Sequence, residues 1–338
     1  MKKDDKAHFR PDEWTSRYFG KLYGELYSRF LMTPAQARKE AEFARQLLRL
    51  DGKRVLDLAC GFGRHARLFV RHSHVVGVDR NAEYLTMARE GIPRRWAGRF
   101  AAVRGDMRRL PLGSAAFDAV VLLFNSFGYF VPPPPTEAAA HQPEVWKLPR
   151  VFYERGLVDE SFGIHVTREG ARPVGAATAV GAAIEDENLL VLEEIARVLA
   201  PRGQLLLEAP NPRPLIEAVL AAPRRWLITR QYEIEEEFTY DRLRRVLSNH
   251  SRFTMGGRTE TVEYHLQLYS RVQLARALKA AGLDVQAVYG SYDGDPYSSA
   301  DSSCMLFVAQ KRRAGSAGSS RGRSAARASR GSTAGAGA

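Results

Sequence analysis

Five apolar, β-branched runs alternate with helical patterns along this chain, and this alternation restricts its fold more than any other feature. The runs are RVLDLAC (54–60), HVVGVD (74–79), FAAVRGD (100–106), FDAVVLLFN (117–125) and GQLLLEAP (203–210). Continuous apolar runs of this length are typical of strands buried on both faces of a parallel sheet. One intervening helical pattern begins at Asn81, a residue type favoured at helix N-caps. The pattern predicts an α/β fold with a doubly wound sheet, which a helix at 270–282 and two further strands complete.

Two regions interrupt the alternation. Residues 131–183 hold a proline run followed by Gly/Ala-rich sequence without helical or strand periodicity, which predicts a partly mobile insertion. Residues 226–269 instead alternate apolar and polar residues, and the pair Gly256 and Gly257 marks a turn. This second region is expected to form a small antiparallel β lobe.

Composition narrows the class of protein. The chain has 338 residues, of which 45% are hydrophobic, and such a chain can bury a sizeable core. No stretch reaches the roughly 18 apolar residues of a membrane helix, and the first ten residues lack the apolar centre of a secretory signal. Two cysteines, Cys60 and Cys304, without clustered Cys/His spacing predict neither a disulfide framework nor a metal site. We therefore expect a cytoplasmic protein with no membrane partner.

The positive charge of the chain is concentrated at its end. The formal net charge is +12, but the residues after 310 include seven basic and no acidic side chains, so residues 1–310 carry only +5. The segment 312–338 is poor in apolar bulk and is predicted to be a disordered basic tail. Two interpretations fit such a tail: weak phosphate contacts with RNA, or a solvated extension without a specific role.

The stretch VLDLACGFGRHA (55–66) contains the residues that suggest which ligand the protein binds. Gly61, Gly63 and Ala66 match the G-x-G-x-x-G/A pattern of dinucleotide-binding loops, a weak signal by itself. A carboxylate at Asp57 would repel a pyrophosphate at the mouth of this loop, so it favours a cofactor that is cationic there. S-adenosylmethionine, with its sulfonium and ammonium groups, meets this requirement. Asp79, at the end of the second strand, can accept hydrogen bonds from the ribose hydroxyls of any adenosine cofactor.

Four segments in the same order resemble the motifs of class I S-adenosylmethionine-dependent methyltransferases. They are VLDLACGFGRHA (55–66), VVGVDRNAEYLTMARE (75–90), VRGDMRRLPLGSAAFDAVVLLFNSFGYF (103–130) and LLVLEEIARVLAPRGQLLLEAP (189–210). The resemblance covers residues 12–130 and 184–311. It implies a Rossmann-like, mostly parallel sheet of seven strands whose last strand is antiparallel, with cofactor and acceptor meeting above the carboxyl ends of the strands.

The resemblance also implies which residues bind the cofactor. Asp57 and the loop backbone would hold the methionine moiety, Asp79 the ribose, and Asp106 with the Met107 amide the adenine. Arg64 has two interpretations, a ligand of the methionine carboxylate or a solvated residue at a helix start. The full predicted set is Asp57, Ala59 (where the family often has glycine), Gly61, Gly63, Arg64, Asp79, Arg80, Asp106, Met107, Phe124, Asn125, Tyr18 and Tyr23.

Further candidates lie near the expected methyl group. Asn125 and Tyr129, in FNSFGYF after the fourth strand, either line the substrate pocket or cap a turn beside core phenylalanines. Tyr18 and Tyr23, in an N-terminal aromatic helix, either cover the cofactor as a lid or belong to the core. The segment FNSFGYF after the fourth strand lacks the (N/D)PPY signature of enzymes that methylate base or amide nitrogen. This absence weakens the case for a nucleic-acid substrate.

Methylation of a hydroxyl or an ammonium requires a proton to leave, and histidine is the base best matched to neutral pH. His265, in VEYHLQLYSR at the end of the predicted lobe, is the histidine proposed for this role, with Tyr129 as the second catalytic candidate. The strand pattern leaves two orientations open for His265. Its side chain points either to the cleft or into the packing of the lobe.

The leading hypothesis is transfer of a methyl group from S-adenosylmethionine to an oxygen or nitrogen of a small molecule. The alternatives are an RNA methyltransferase that uses the arginine-rich tail for phosphate contacts, and a cofactor-binding protein without catalysis. The expected organisation comprises an N-terminal helical lid (1–50), the methyltransferase domain (51–130, 184–225 and 270–311), the insertion (131–183), a substrate lobe (226–269) and the tail (312–338).

Overall fold

The computed structural model describes residues 21–27, 32–131 and 187–313, with only the backbone for residues 21–23. The predicted insertion and basic tail therefore lie almost wholly outside the described residues, and the predicted domain boundaries stay predictions. In the described part of the chain, every helix is too short or too polar to cross a membrane.

The helices and strands follow the order expected from the sequence. The helices are α1 (Lys21–Leu26), α2 (Pro34–Leu48), α3 (Ala66–Phe69), α4 (Ala82–Glu90), α5 (Glu187–Val198), α6 (Pro212–Ala221) and α7 (Arg271–Ala280). The strands are β1 (Arg54–Leu58), β2 (His74–Asp79), β3 (Phe100–Arg104), β4 (Phe117–Leu122), β5 (Leu199–Pro210), β6 (Arg224–Ile228), β7 (Tyr232–Asp241), β8 (Val246–Met255), β9 (Arg258–Gln267), β10 (Leu283–Tyr289) and β11 (Cys304–Lys311).

The larger sheet has seven strands in the order β10-β11-β5-β4-β1-β2-β3. Strands β1 to β5 pair in parallel, and β11 runs antiparallel to both β5 and β10. This topology confirms the predicted doubly wound α/β fold with an antiparallel last strand. It brings the carboxyl ends of β1, β2 and β4 to one edge, where ligands of open α/β sheets bind.

Alternate residues of the central strands enter hydrophobic cores on opposite sides of this sheet. Leu56 and Val120 pack on one side, and Val55 and Val121 pack on the other. Because both faces are covered, the strand sequences contain continuous apolar runs rather than an alternating pattern. Burial of each such side chain stabilises the fold by about 1.5–3 kcal/mol.

The helix ends are held by the residues that cap them. The Asn81 side chain accepts hydrogen bonds from the backbone N–H groups of Glu83 and Tyr84, so the predicted N-cap of α4 is present. Ser270 and Gln273 form a capping box at the start of α7. These contacts satisfy N–H groups that have no partner within the helix.

Strands β6 to β9 form a separate four-stranded antiparallel sheet in sequential order, which confirms the predicted antiparallel sheet. Its β8–β9 hairpin turns at Gly256 and Gly257, whose φ angles of 57° and 75° suit a type I′ turn. One face, called here the outer face, carries partly exposed ion pairs such as Arg224–Glu237 at 2.9 Å. The opposite, inner face packs against α6 and against Tyr129 of the larger sheet's β4 loop.

Candidate active site

A cavity of about 450 Å³ lies at the carboxyl ends of β1, β2 and β4. Its wall is built by the loops that follow these strands and by the first turn of α4. The predicted residues that line it are Asp57, Ala59, Gly61, Arg64, Asp79, Arg80, Met107, Phe124 and Tyr129. The structure therefore brings the acids of β1 and β2 to one space, as sheet topology requires of adjacent parallel strands.

The loop after β1 is shaped by three residues in the left-handed region. Ala59, Gly61 and Gly63 have φ angles of 55°, 53° and 75°. Gly61 borders open space, whereas a Cβ atom at Gly63 would lie 2.8 Å from the Cβ of Ala88 on α4. Gly63 thus serves close packing against a helix, and it does not line the cavity. Ala59 adopts at some energetic cost a conformation that glycine would adopt freely.

Asp57 places a carboxyl group in the cavity, and the described residues around it leave one of its oxygens without a hydrogen-bond partner. The side chain is buried, and among the described residues its Oδ2 atom has no hydrogen-bond partner. Burial raises the pKa of Asp57 to about 7, against the nearby charge of Arg64 and an N–H of Ala66 that favour ionisation. A buried carboxylate with an unused oxygen is costly unless a cation or donor meets it, so this group is suited to a cationic ligand.

Asp79 connects the two loops. Its Oδ2 accepts a hydrogen bond from the Gly61 N–H at 2.8 Å, and its Oδ1 accepts one from the Asn81 N–H at 2.9 Å. Burial raises the pKa of this carboxyl, whereas these N–H donors oppose the increase. Each oxygen keeps a further lone pair for hydroxyl donors of a ligand. Asp79 therefore holds the loop after β1 in place and also faces the cavity.

Arg64 is largely buried rather than solvated, with a side chain that is 10% exposed. Its Nη1 lies 2.6 Å from the Oε2 of Glu40, and its guanidinium lies 4.7 Å from the centre of the Phe124 ring. Among the described residues, its buried Nη2 has no hydrogen-bond partner. The cavity thus presents an unused carboxylate oxygen at Asp57 and an unused guanidinium nitrogen at Arg64. These two groups match the ammonium and carboxylate of an amino acid.

Glu40, on α2, is a site residue that sequence reasoning missed. It is 2% exposed, and it accepts hydrogen bonds from Gln36 Nε2 at 3.0 Å and from His65 Nε2 at 2.7 Å. Although burial raises its pKa, the His65 hydrogen bond and the nearby positive charge dominate and lower it to about 2. Burial lowers the pKa of His65 to about 4. The available signal was an acid between Ala37 and Ala41 on the apolar stripe of α2.

The structure places Asp106 differently from the expectation that it binds adenine. Its carboxylate is 2.7 Å from Arg108 Nη2 and 3.7 Å from Arg80 Nη1, and the residue does not line the cavity. Arg108, two residues later, occupies the carboxylate that was expected to bind adenine. Met107 does line the cavity, as expected.

The loop after β4 adopts an unusual conformation near the expected methyl group. Phe124 and Asn125 are both left-handed, with φ angles of 60° and 53°. The Phe124 N–H donates to Glu208 Oε2 at 2.5 Å, and the Tyr292 hydroxyl donates to the same oxygen at 2.7 Å. This buried carboxylate of β5 stabilises a backbone path that side chains ordinarily disfavour. As a result, Phe124 lines the cavity but Asn125 does not.

Of the two catalytic candidates, only Tyr129 lines the cavity, and burial raises the pKa of its hydroxyl. His265 belongs to the packing of the lobe: its Nδ1 lies 2.9 Å from Ser248 Oγ across the β8–β9 pair. Because β9 is regular, His265 points to the opposite face from Tyr264, the residue that contacts Tyr129. Burial lowers the pKa of His265 to about 4. The expectation that it serves as a base at the cleft is therefore replaced by a structural role.

The lid candidates are only partly within the described chain. Tyr18 lies outside the described residues, and no side chain is described for Tyr23. Helix α1 itself lies beside the cavity, because a Cβ at Gly24 would be 2.5 Å from the ring of Tyr84, a cavity residue. Glu25 pairs with Arg258 of the β8–β9 hairpin at 2.6 Å. Covering of the cofactor by this helix stays a prediction.

Comparison with known proteins agrees with this geometry. Residues 55–146 match a family model described as a methyltransferase domain. A malonyl-[acyl-carrier protein] O-methyltransferase of Legionella pneumophila is 32% identical over 78 residues, which are 22% of this chain and 27% of the relative. The match thus spans about a quarter of the curated relative's length.

Two solved structures share the fold across most of both chains. The CcbJ methyltransferase from Streptomyces caelestis has a TM-score of 0.63 at 17% identity, over 88% of this chain and 99% of its own. A S-adenosylmethionine-dependent methyltransferase from Clostridium acetobutylicum has a TM-score of 0.61 at 12% identity, over 86% and 98% of the two chains. The chain therefore contains a segment similar to a methyltransferase domain, and it shares the fold of S-adenosylmethionine-dependent methyltransferases.

Proposed function

We propose that this protein transfers the methyl group of S-adenosylmethionine to an oxygen or nitrogen of a small molecule. The observation that carries the proposal is the pair of buried, unused polar atoms in one cavity, Asp57 Oδ2 and Arg64 Nη2. A zwitterionic amino-acid group would satisfy both atoms at once, whereas a pyrophosphate would meet the Asp57 carboxylate with repulsion.

Each part of the cofactor has a suitable partner in the cavity. Asp57 would bind the methionine ammonium, Arg64 the carboxylate, and Asp79 the ribose hydroxyls. The bound cofactor supplies an electrophilic methyl group on a sulfonium. The protein's contribution to rate is alignment of the acceptor atom with that methyl group in a site that excludes water. Phe124 and Tyr129, which border the same space, would form the apolar part of this site.

The cavity has the size of a cofactor site, and the charge of the chain outside its basic tail does not favour RNA as the acceptor. The cavity volume of about 450 Å³ is within the range of sites for small molecules and cofactors. The RNA alternative depends on the basic tail, because the rest of the chain is only mildly basic. Helix α1 and the lobe are proposed to enclose the acceptor, because α1 lies against Tyr84 of the cavity wall and the lobe contacts Tyr129.

The experiment that tests the proposal combines binding and transfer. Calorimetry should detect S-adenosylmethionine binding by the full chain, and Asp57→Ala should weaken it. The protein is then incubated with methyl-labelled cofactor and, separately, the low-molecular-weight and RNA fractions of a cell extract. Label in the small-molecule fraction is expected. Label only in RNA would favour the alternative function, and binding without transfer to either fraction would favour a protein without catalysis.

A further inference from the structure

The inner face of the lobe sheet carries polar residues at its centre. Apolar side chains cover its two ends, with Ile234 and Phe253 at one end and Phe238 and Leu247 at the other. Between them, on the same face of their strands, are the residues called here the inner-face cluster: Arg225, Glu236, Asn249, Ser251 and Tyr264. Charged residues in such surroundings cost free energy unless other groups compensate them.

The members of the inner-face cluster are neighbours across the strands. Arg225 is opposite Glu236, Glu236 is opposite Ser251, and Asn249 is opposite Tyr264. Ser251 Oγ donates a hydrogen bond to Asn249 Oδ1. Burial raises the pKa of Glu236, and the charge of Arg225 and the amide of Asn249 oppose that rise. The arrangement places a carboxylate at the centre of a largely enclosed face of the sheet.

This cluster adjoins the cofactor cavity. The rings of Tyr264 and Tyr129 meet edge to face with centroids 5.7 Å apart, and Tyr129 lines the cavity. Glu236, Tyr264 and Tyr129 are surrounded by protein, yet each keeps some solvent-accessible surface. The partial exposure of Glu236 and Tyr264 leaves both side chains accessible to a ligand.

The cavity alone is too small to enclose both the cofactor and the acceptor. A cavity of about 450 Å³ is near the lower limit for one drug-sized ligand, so the cofactor would use most of it. The body of the acceptor must then extend beyond the cavity, past Tyr129. The inner face is the surface that continues from Tyr129 in this direction, because Tyr264 is in direct contact with it.

We propose that the inner-face cluster binds the methyl acceptor. Glu236 accepts hydrogen bonds from hydroxyl or amino groups of a small polar molecule, and the rings of Tyr129 and Tyr264 pack against its carbon skeleton. Arg225 and Asn249 are positioning residues that orient the Glu236 carboxylate. This inference rests on the proposed methyl transfer, and it adds the class of acceptor and the residues that select it.

The test measures the rate of label transfer from methyl-labelled S-adenosylmethionine against the amount of the low-molecular-weight fraction of the source organism's extract. In Glu236→Gln, a hydrogen bond to a charged group is lost, so the half-saturating amount is expected to rise about tenfold to a hundredfold. The Kd for S-adenosylmethionine should remain within about twofold of the parent value. The control is Glu237→Gln, the same substitution at the next residue, whose side chain lies on the outer face. It should leave the half-saturating amount unchanged.

Tyr264→Leu is the second variant, because it removes the aromatic ring proposed to pack against the acceptor and keeps an apolar side chain. Its half-saturating amount should rise about twofold to tenfold, and it decides the question if Glu236→Gln no longer folds or binds cofactor. An unchanged half-saturating amount in the folded variants, with or without a lower maximal rate, would overturn the inference and leave the proposed function standing. A parent protein that binds cofactor but labels no small molecule would overturn both.

Discussion

In the cofactor cavity the polar side chains come from short stretches of sequence, whereas on the inner face of the lobe they come from four separate strands. Asp57 and Arg64 are seven positions apart, and Asp79 ends the next strand. Arg225, Glu236, Asn249 and Tyr264 instead meet only through strand register. A sequence motif can therefore report the first site directly, but the second becomes visible only when the register of the sheet is known.

The two sites also differ in how their charges are compensated. In the cavity, the carboxylate of Asp57 keeps a buried oxygen without a hydrogen-bond partner among the described residues. In the lobe, the carboxylate of Glu236 has the charge of Arg225 and the amide of Asn249 beside it. Variants in the cavity should consequently act on cofactor binding, and variants in the lobe should leave it intact.

The largest expected effect is that of Asp79→Ala on the affinity for S-adenosylmethionine. The variant removes charge-assisted hydrogen bonds to ribose, each contributing about 1.5–3 kcal/mol to the free energy of binding. It also removes the hydrogen bond that Asp79 accepts from the Gly61 N–H. Calorimetry should show at least a roughly hundredfold increase in Kd. Asp118→Ala, which removes a carboxylate paired with Arg54 at the other end of the sheet, serves as the control. Parent-like affinity of Asp79→Ala would exclude this acid from the cofactor site.

A somewhat smaller effect is expected for Arg64→Gln, and it should depend on which part of the cofactor is present. The Kd for S-adenosylmethionine should rise about tenfold to a hundredfold, because a charged hydrogen bond to the carboxylate is lost. The Kd for 5′-methylthioadenosine, which has no amino-acid group, should change little. Arg64→Gln combined with Glu40→Gln removes both charges of the buried pair and controls for an uncompensated Glu40. Equal weakening of both ligands would assign Arg64 a purely structural role.

The pH dependence of cofactor binding should report Asp57. With a pKa of about 7, this carboxyl is largely protonated below pH 7 in the free protein and must lose its proton to bind an ammonium. Affinity for S-adenosylmethionine is therefore expected to fall about tenfold from pH 8 to pH 6. His65, with a pKa lowered to about 4, does not titrate in this range. Isothermal titration at several pH values should show the slope in the parent protein and none in Asp57→Asn.

A further effect, on folding rather than on binding, is a gain in stability for Asp57→Asn without cofactor. The ordinary pKa of an aspartate is near 4 and the folded value is about 7, so the folded state retains a proton that the unfolded chain releases. Folding stability from this group is lost as pH rises from about 4 to about 7, and the full penalty is present above 7. Calorimetric melting at pH 8 should give a higher Tm for Asp57→Asn, with the gap narrowing towards pH 4. A Tm gap that does not vary with pH would contradict this account.

Several features of this protein were determined by local sequence. The central strands could be predicted because burial on both faces requires continuous apolar runs, as in β1 and β4. The N-cap at Asn81 follows from a side chain that bonds the N–H groups two and three residues ahead. The positions of Asp57 and Asp79 in the cavity follow from their place at the ends of adjacent parallel strands.

Tertiary structure decided the rest, because the partner of a polar side chain is often distant in sequence. Asp106 forms ion pairs with Arg108 and Arg80. Arg64 forms an ion pair with Glu40 of α2, a residue outside every motif. The face of His265 depended on whether β9 stays regular from Arg258 to Gln267, since one bulge reverses every side chain that follows. The inner-face cluster required both the register of four strands and the docking of their sheet against Tyr129, and neither follows from the pattern of any single segment.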